Sequence, residues 1–169
     1  MKYINLKSGY SIIEIIIYIA VFATVAVVVG NIFMALISSF NQTRTNHNIL
    51  QNGNTVLERM SREIHKANNI RTATSTFGSS PGVLDLDSID ESNNPRTVKF
   101  NVGNGALNLY YNNTLVGNLL SPNIKVISLI FYKTTTTNGP SIKMEITLQD
   151  TNDKTGLTEK FYNVATLSK

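Results

Sequence analysis

Cysteine is absent from the chain, which excludes a disulfide framework and a thiolate-bound metal. Charge is also scarce, at 15% of residues. It is missing entirely from Ile15 to Ile37, a run in which Thr24, Gly30 and Asn31 are the main polar or weak positions. No excess of either sign marks the C-terminal region, because from residue 72 onward eight basic residues face eight acidic ones. The net charge of +4 comes instead from Lys2 and Lys7, offset by Glu14, and from an excess of three positive charges in residues 40–71. A neutral C-terminal region offers no basic face to a nucleic acid, so nucleic acid is not indicated as a partner despite the high pI.

The remaining composition suits folded protein: 42% hydrophobic over 169 residues, enough for one domain with an appendage. The uncharged run after Glu14 is long enough, at about 20 residues or more, to cross a hydrocarbon core as a helix. It is too long for the core of a secretory signal peptide, and no small-residue cleavage pattern follows it. A plain signal anchor accounts for the length but not for Glu14. A carboxylate at the bilayer centre is unfavourable by about 2.5–3.5 kcal/mol, and less near the interface. Glu14 therefore either rests in the headgroup layer or has a partner, for which a free α-amine of a neighbouring chain is suitable. Lys2 and Lys7 precede the span, which favours a cytoplasmic N-terminus and a head outside.

Helical spacing continues beyond the apolar run. Ile49/Leu50, Gly53, Val56/Leu57, Met60, Ile64 and Ala67 recur at threes and fours, and Glu58–Arg62 and Arg59–Glu63 are opposite charges at i,i+4. The stripe predicts a helix face in need of a sheet, and the charges a solvated face. Helix from Ser11 to about Asn68 would extend roughly 90 Å. Asn41–Asn48, polar and poor in helix formers, is the place in this helix that leaves room for a break.

After Asn69 the composition turns to Thr, Ser, Asn and Gly, with 72–81 a loop. Alternating runs then predict antiparallel strands at 83–86, 97–102, 106–111, 115–120, 124–132, 141–149 and 157–167, with Gly103-Asn104-Gly105 and Asn112-Asn113 as turns. The fold class is α+β: a long N-terminal helix whose second half packs on an antiparallel sheet. The segments are 1–9, ahead of the span; 10–39, the transmembrane helix; 40–71, the amphipathic helix; and 72–169, the β-rich head.

Catalytic constellations do not stand out. His47 and His65 are lone surface histidines. Asp85, Asp87, Asp90 and Glu91 have some likeness to a calcium loop but lack its glycine and terminal glutamate, so they read as solvated turn residues. Gly103-Asn104-Gly105 is not a phosphate loop, because no helix with Gly-Lys-Ser/Thr follows. Tyr110, Tyr111, Phe131, Tyr132, Phe161 and Tyr162 read as strand-core positions.

Lys7-Ser8-Gly9-Tyr10-Ser11-Ile12-Ile13-Glu14 and the apolar Ile15–Ala20 resemble the type IV prepilin signal, a short basic leader ending in glycine followed by Phe-Thr-Leu-Ile-Glu and a long apolar helix. Tyr10 stands for the usual phenylalanine and Ser11 for the usual threonine. The segment Leu57–Ala67 is similar to the end of the long helix in minor pseudopilins of the J type and related minor pilins. The resemblance implies a structural subunit, not an enzyme, with no cofactor and no metal. Gly9 would be the last leader residue, cut by a membrane aspartyl prepilin peptidase. Tyr10 would be the N-methylated new terminus, and Glu14 would pair with the terminal amine of an adjacent subunit during assembly. The implied partners are other pilin or pseudopilin subunits, the prepilin peptidase/methyltransferase and inner-membrane lipid. The implied location is the bacterial inner membrane, then a type IV pilus or a type II secretion pseudopilus. The family often carries a proline in mid-helix, and here Gly30-Asn31 occupies that neighbourhood. The competing expectation is a membrane-tethered binding module, an adhesin or a DNA-uptake factor, that never polymerises.

Overall fold

The computed structural model describes residues 11–136, 139–153 and 156–167. Its first element is α1, Ile12–Lys66. Ser11 opens it, its carbonyl accepting from the amides of Glu14 and Ile15 at 3.0 and 3.2 Å. The helix runs on without a break through Asn41–Asn48 and through Gly30-Asn31. In and beside the polar segment, side chains bond back to the preceding turn: Thr43 Oγ1 donates to the Ser39 carbonyl at 3.0 Å and Asn52 Nδ2 to that of Asn48 at 2.9 Å. Such back-bonding bends a helix slightly but does not end it.

The helix ends at Lys66, short of the sequence expectation. Asn68 and Asn69 are weak helix formers, and residues Ala67–Ile70 instead form an edge strand, β1. The Ser88 hydroxyl donates to the Lys66 carbonyl at 3.2 Å, satisfying one of the orphan acceptors at the helix end. Among the described residues seven further strands follow: β2 (Leu84–Ile89), β3 (Pro95–Gly103), β4 (Ala106–Tyr111), β5 (Thr114–Asn118), β6 (Ile124–Thr136), β7 (Gly139–Asp150) and β8 (Thr158–Thr166).

All strand pairs are antiparallel, as expected, but they make two sheets and not one: β1-β2-β3-β4-β5 and β6-β7-β8. The division falls at the 119–123 connection, where Pro122 has no amide to donate to a ladder and Leu120 turns into the core. A hydrogen bond from the Val126 amide to the Gly105 carbonyl, 2.8 Å, ties the sheets together. The turns at 104–105 and 112–113 hold both central residues at positive φ: Asn104 at 54°, Gly105 at 76°, Asn112 at 50° and Asn113 at 65°. This conformation matches the strand twist and favours Asn and Gly.

Two units divide the chain, residues 1–43 and 44–169. In the second, one apolar core joins the helix stripe to both sheets. Ile49, Val56, Met60 and Ile64 from α1, Leu84, Leu86, Val98, Phe100, Leu107 and Leu109 from the larger sheet, and Leu129, Phe131, Ile142, Met144, Ile146 and Leu148 from the smaller one are all buried. The alternation anticipated for β7 is borne out, with Lys143 exposed and Glu145 and Thr147 half-buried between buried neighbours. Leu50 departs from the stripe and is exposed. Gly53 has a packing reason: a Cβ there would lie 2.5 Å from the Phe161 ring.

The described residues of the first unit have no such core. Large apolar side chains from Ile12 to Phe40 are 43–79% exposed around the whole helix. An 18-residue stretch of α1 reaches a mean hydropathy of 2.8, and the helix is long and apolar enough to cross a membrane.

Candidate functional site

Glu14 sits in the first turn of α1, partly exposed, where the helix dipole favours a carboxylate. The Tyr18 hydroxyl, one turn on, donates to Glu14 Oε1 at 2.9 Å. Sequence reasoning counted Tyr18 only as part of the apolar run, although its i,i+4 spacing from Glu14 was the available signal. Gly9 and Tyr10 lie outside the described residues.

Exposed apolar side chains follow on every face of the helix. Exposing about half of a large aliphatic side chain forfeits on the order of 1 kcal/mol, so roughly twenty of them amount to about 20 kcal/mol. That exceeds the whole folding stability of a typical domain, roughly 5–15 kcal/mol. This segment is chemically suited to lipid or to other apolar helices, not to water.

A second cluster lies on the other half of α1. Glu63 is only 4% exposed. Its Oε1 accepts from Arg59 Nη2 at 2.9 Å and from the Tyr111 hydroxyl at 2.8 Å, and its Oε2 accepts from Arg96 Nη2 at 2.9 Å. Arg59 Nη2 also donates to the Tyr111 hydroxyl at 2.6 Å, and the Arg96 guanidinium lies 4.2 Å from the centre of the Tyr111 ring. The expectation of a solvated Arg59–Glu63 pair is corrected here: Glu63 is a buried anion held by two guanidiniums and a phenol. Burial, and then the hydrogen bond to Glu63, push the Tyr111 hydroxyl above its usual pKa. The cluster lines a cleft of about 580 Å³ that also takes in His65, Lys66 and Asp90. Chemically it is a tie, bonding α1 to β3 and β4 through charge-assisted hydrogen bonds. Arg96 and Tyr111 stand 33 and 48 residues from Glu63, and no local spacing signals that meeting.

The other candidates are dispersed. His47 is exposed. His65, also exposed, donates from Nδ1 to the Thr166 carbonyl at 2.6 Å. Asp85 is buried on β2 and not in a solvated turn; it accepts from Thr74 Oγ1 at 2.7 Å and lies 3.6 Å from Arg71. Arg71 also meets Asp87 at 3.5 Å. Asp90 is the turn residue expected, accepting from the amides of Ser92 and Asn94, both at 2.8 Å. The Asn94 amide bond, above all, holds its carboxyl below the usual pKa. Among the described residues no group of three or more acids or histidines is placed to hold a metal. Of the aromatic residues, Phe131 is core and Phe161 packs on Gly53, but Tyr132 and Tyr162 point outward, 37% and 56% exposed.

No family model matches the chain, and no curated protein or solved structure matches it either.

Proposed function

We propose that the chain is a type IV pilin-like subunit, a minor pilin or pseudopilin, inserted in the inner membrane, cleaved after Gly9, N-methylated at Tyr10 and built into a filament. The observation that carries this reading is the sequence Gly9-Tyr10-Ser11-Ile12-Ile13-Glu14 set immediately before an uncharged helix that is exposed on every face. The pairing of one helix with an antiparallel β head, one stripe of its second half buried in the core and its first half bare, supports it.

The physical logic runs through Glu14. In lipid its carboxylate is disfavoured, and Tyr18 compensates through a single hydrogen bond at Oε1. The α-amine released at Tyr10 of a neighbouring subunit supplies the opposite charge, and the pair neutralises where water is scarce. The bare apolar helix then leaves lipid for the equivalent helices of its neighbours. The Glu63 cluster keeps the head fixed on the helix as it does so.

Replacement of Glu14 by Gln, with Gly9 replaced by a bulky residue in a second variant, tests the reading in membranes. A filament subunit carrying Gly9→Leu accumulates uncleaved, and one carrying Glu14→Gln is cleaved but fails to enter filaments. A membrane-tethered binding module runs identically on a gel whichever residue occupies position 9, and that result would overturn the proposal.

A further inference from the structure

The outer face of the β6-β7-β8 sheet is unlike the rest of the head. Across three strands, Tyr132 stands opposite Lys143 and Lys143 opposite Val164, with Glu145 opposite Tyr162 in the adjacent row. Lys143 Nζ lies between two rings, 5.4 Å from the centre of Tyr132 and 5.6 Å from that of Tyr162. Lys160 Nζ lies 5.1 Å from the Tyr162 ring. Glu145 links the two ammonium groups, at 2.7 Å from Lys143 and 3.3 Å from Lys160.

Three properties make this a docking surface. Tyr162 and Val164 are 56% and 60% exposed, and together with Tyr132 they form an apolar patch on the side of the sheet turned away from the core. Tyrosine is among the residues enriched at interface hot spots. The lysine stems are already held by rings and carboxylate, so little side-chain freedom remains to be lost on binding. Two lysines against one glutamate leave the patch with one net positive charge, which selects an acidic partner but is too small for a polyphosphate backbone.

The same head carries a matching piece. The β2–β3 turn carries two consecutive acids, Asp90, which is half-buried, and Glu91, which is exposed. Its shape is fixed by the three hydrogen bonds that Asp90 accepts from Ser92 and Asn94 and by Asn93 at φ 62°. The turn belongs to the five-stranded sheet and the tyrosine–lysine face to the three-stranded one. We infer that the Tyr132–Lys143–Lys160–Tyr162 face of one copy receives the Asp90–Glu91 turn of a second copy. Because the two patches differ, the contact is heterologous, and a heterologous contact repeats from copy to copy without closing on itself unless the rotation happens to close. It rests on the polymer reading given above, and it supplies that polymer with a contact between heads.

The absence of native cysteine makes a clean test. Two full-length chains, one with Ser92→Cys in the turn and one with Thr158→Cys beside Lys160, both positions exposed, are produced together in membranes and treated with a short bismaleimide. The expected result is a cross-linked dimer in the mixture and none from either chain alone. Equal dimer in a single-variant sample, or none in the mixture, overturns the inference. Reversal of both lysines (Lys143→Glu with Lys160→Glu) should lower filament incorporation at least tenfold, and Glu91→Lys in a co-produced partner should recover part of it. If the lysine reversal instead abolishes retention on heparin while the cross-link is absent, the face serves a polyanion and the inference fails. The N-terminal mass of the same samples separates the two levels. A chain beginning at Tyr10 without cross-linking sinks the head contact alone, whereas an intact Met1 sinks the filament reading.

Discussion

Gly53 sets two physical effects against each other. On helix propensity alone, Gly53→Ala in the middle of α1 should stabilise by about 1 kcal/mol. The structure reverses the sign. An added Cβ would stand 2.5 Å from Cε1 and Cζ of Phe161 and 2.6 Å from Cε2, so it meets the ring nearly head-on. The ring cannot retreat freely, because β8 is held in register with β7, with Phe161 opposite Ile146, and Asn163 on the same strand bonds to Ser61 of the helix at 2.9 Å. Overpacking of this kind costs about 1–3 kcal/mol. The expected net change is a loss of up to about 2 kcal/mol. For a head of this size that lowers Tm by about 4 °C per kcal/mol lost. Thermal unfolding of the full chain in detergent, followed by circular dichroism of the β signal, measures it. Gly30→Ala serves as the control, since nothing lies within 4 Å of its added Cβ. Adding Phe161→Leu to Gly53→Ala should give a double variant more stable than the sum of its parts, because the two sites touch. A higher Tm for Gly53→Ala alone would refute the close approach of helix and β8.

Glu63→Ala leaves two guanidiniums without their carboxylate and should destabilise by about 3–5 kcal/mol. Tyr111→Phe, which removes hydroxyl bonds but keeps the ring under Arg96, should lose only about 1–2 kcal/mol; urea midpoints at constant m separate the two. The Tyr111 hydroxyl titrates higher in the folded chain than in the unfolded one. Its contribution is therefore fully present below the ordinary tyrosine pKa, about 10, and is lost as pH rises beyond it. Stability of the wild-type chain should fall above about pH 10, and Tyr111→Phe should flatten that part of the profile in equilibrium unfolding measured from pH 8 to 11.

Much of the architecture is legible in the sequence because it is encoded locally. Ile142, Met144, Ile146 and Leu148 alternate, and all four are buried. Asn104-Gly105 and Asn112-Asn113 carry the positive φ that tight hairpins demand. The helix stripe through Val56, Met60 and Ile64 faces the core. What escaped depends on distant partners. Ala67–Ile70 becomes a strand because β2 is there to pair with it, and nothing in four residues announces that. The split into two sheets follows from how the chain turns at Pro122, not from any strand's own pattern. Glu63 looks like half of a surface i,i+4 pair until Arg96 and Tyr111 arrive from β3 and β4. Asp85 reads as a loop acid until Arg71 and Thr74 enclose it. The candidate site divides in the same way: Glu14 and the apolar helix are visible in sequence, whereas the tyrosine–lysine face needs three strands in register.

The N-terminal mass of the protein recovered from membranes tests the central claim most directly. A chain that starts at Tyr10 and carries one added methyl group is the expected result. A chain that still starts at Met1, or is cut elsewhere with no methyl group, would contradict it.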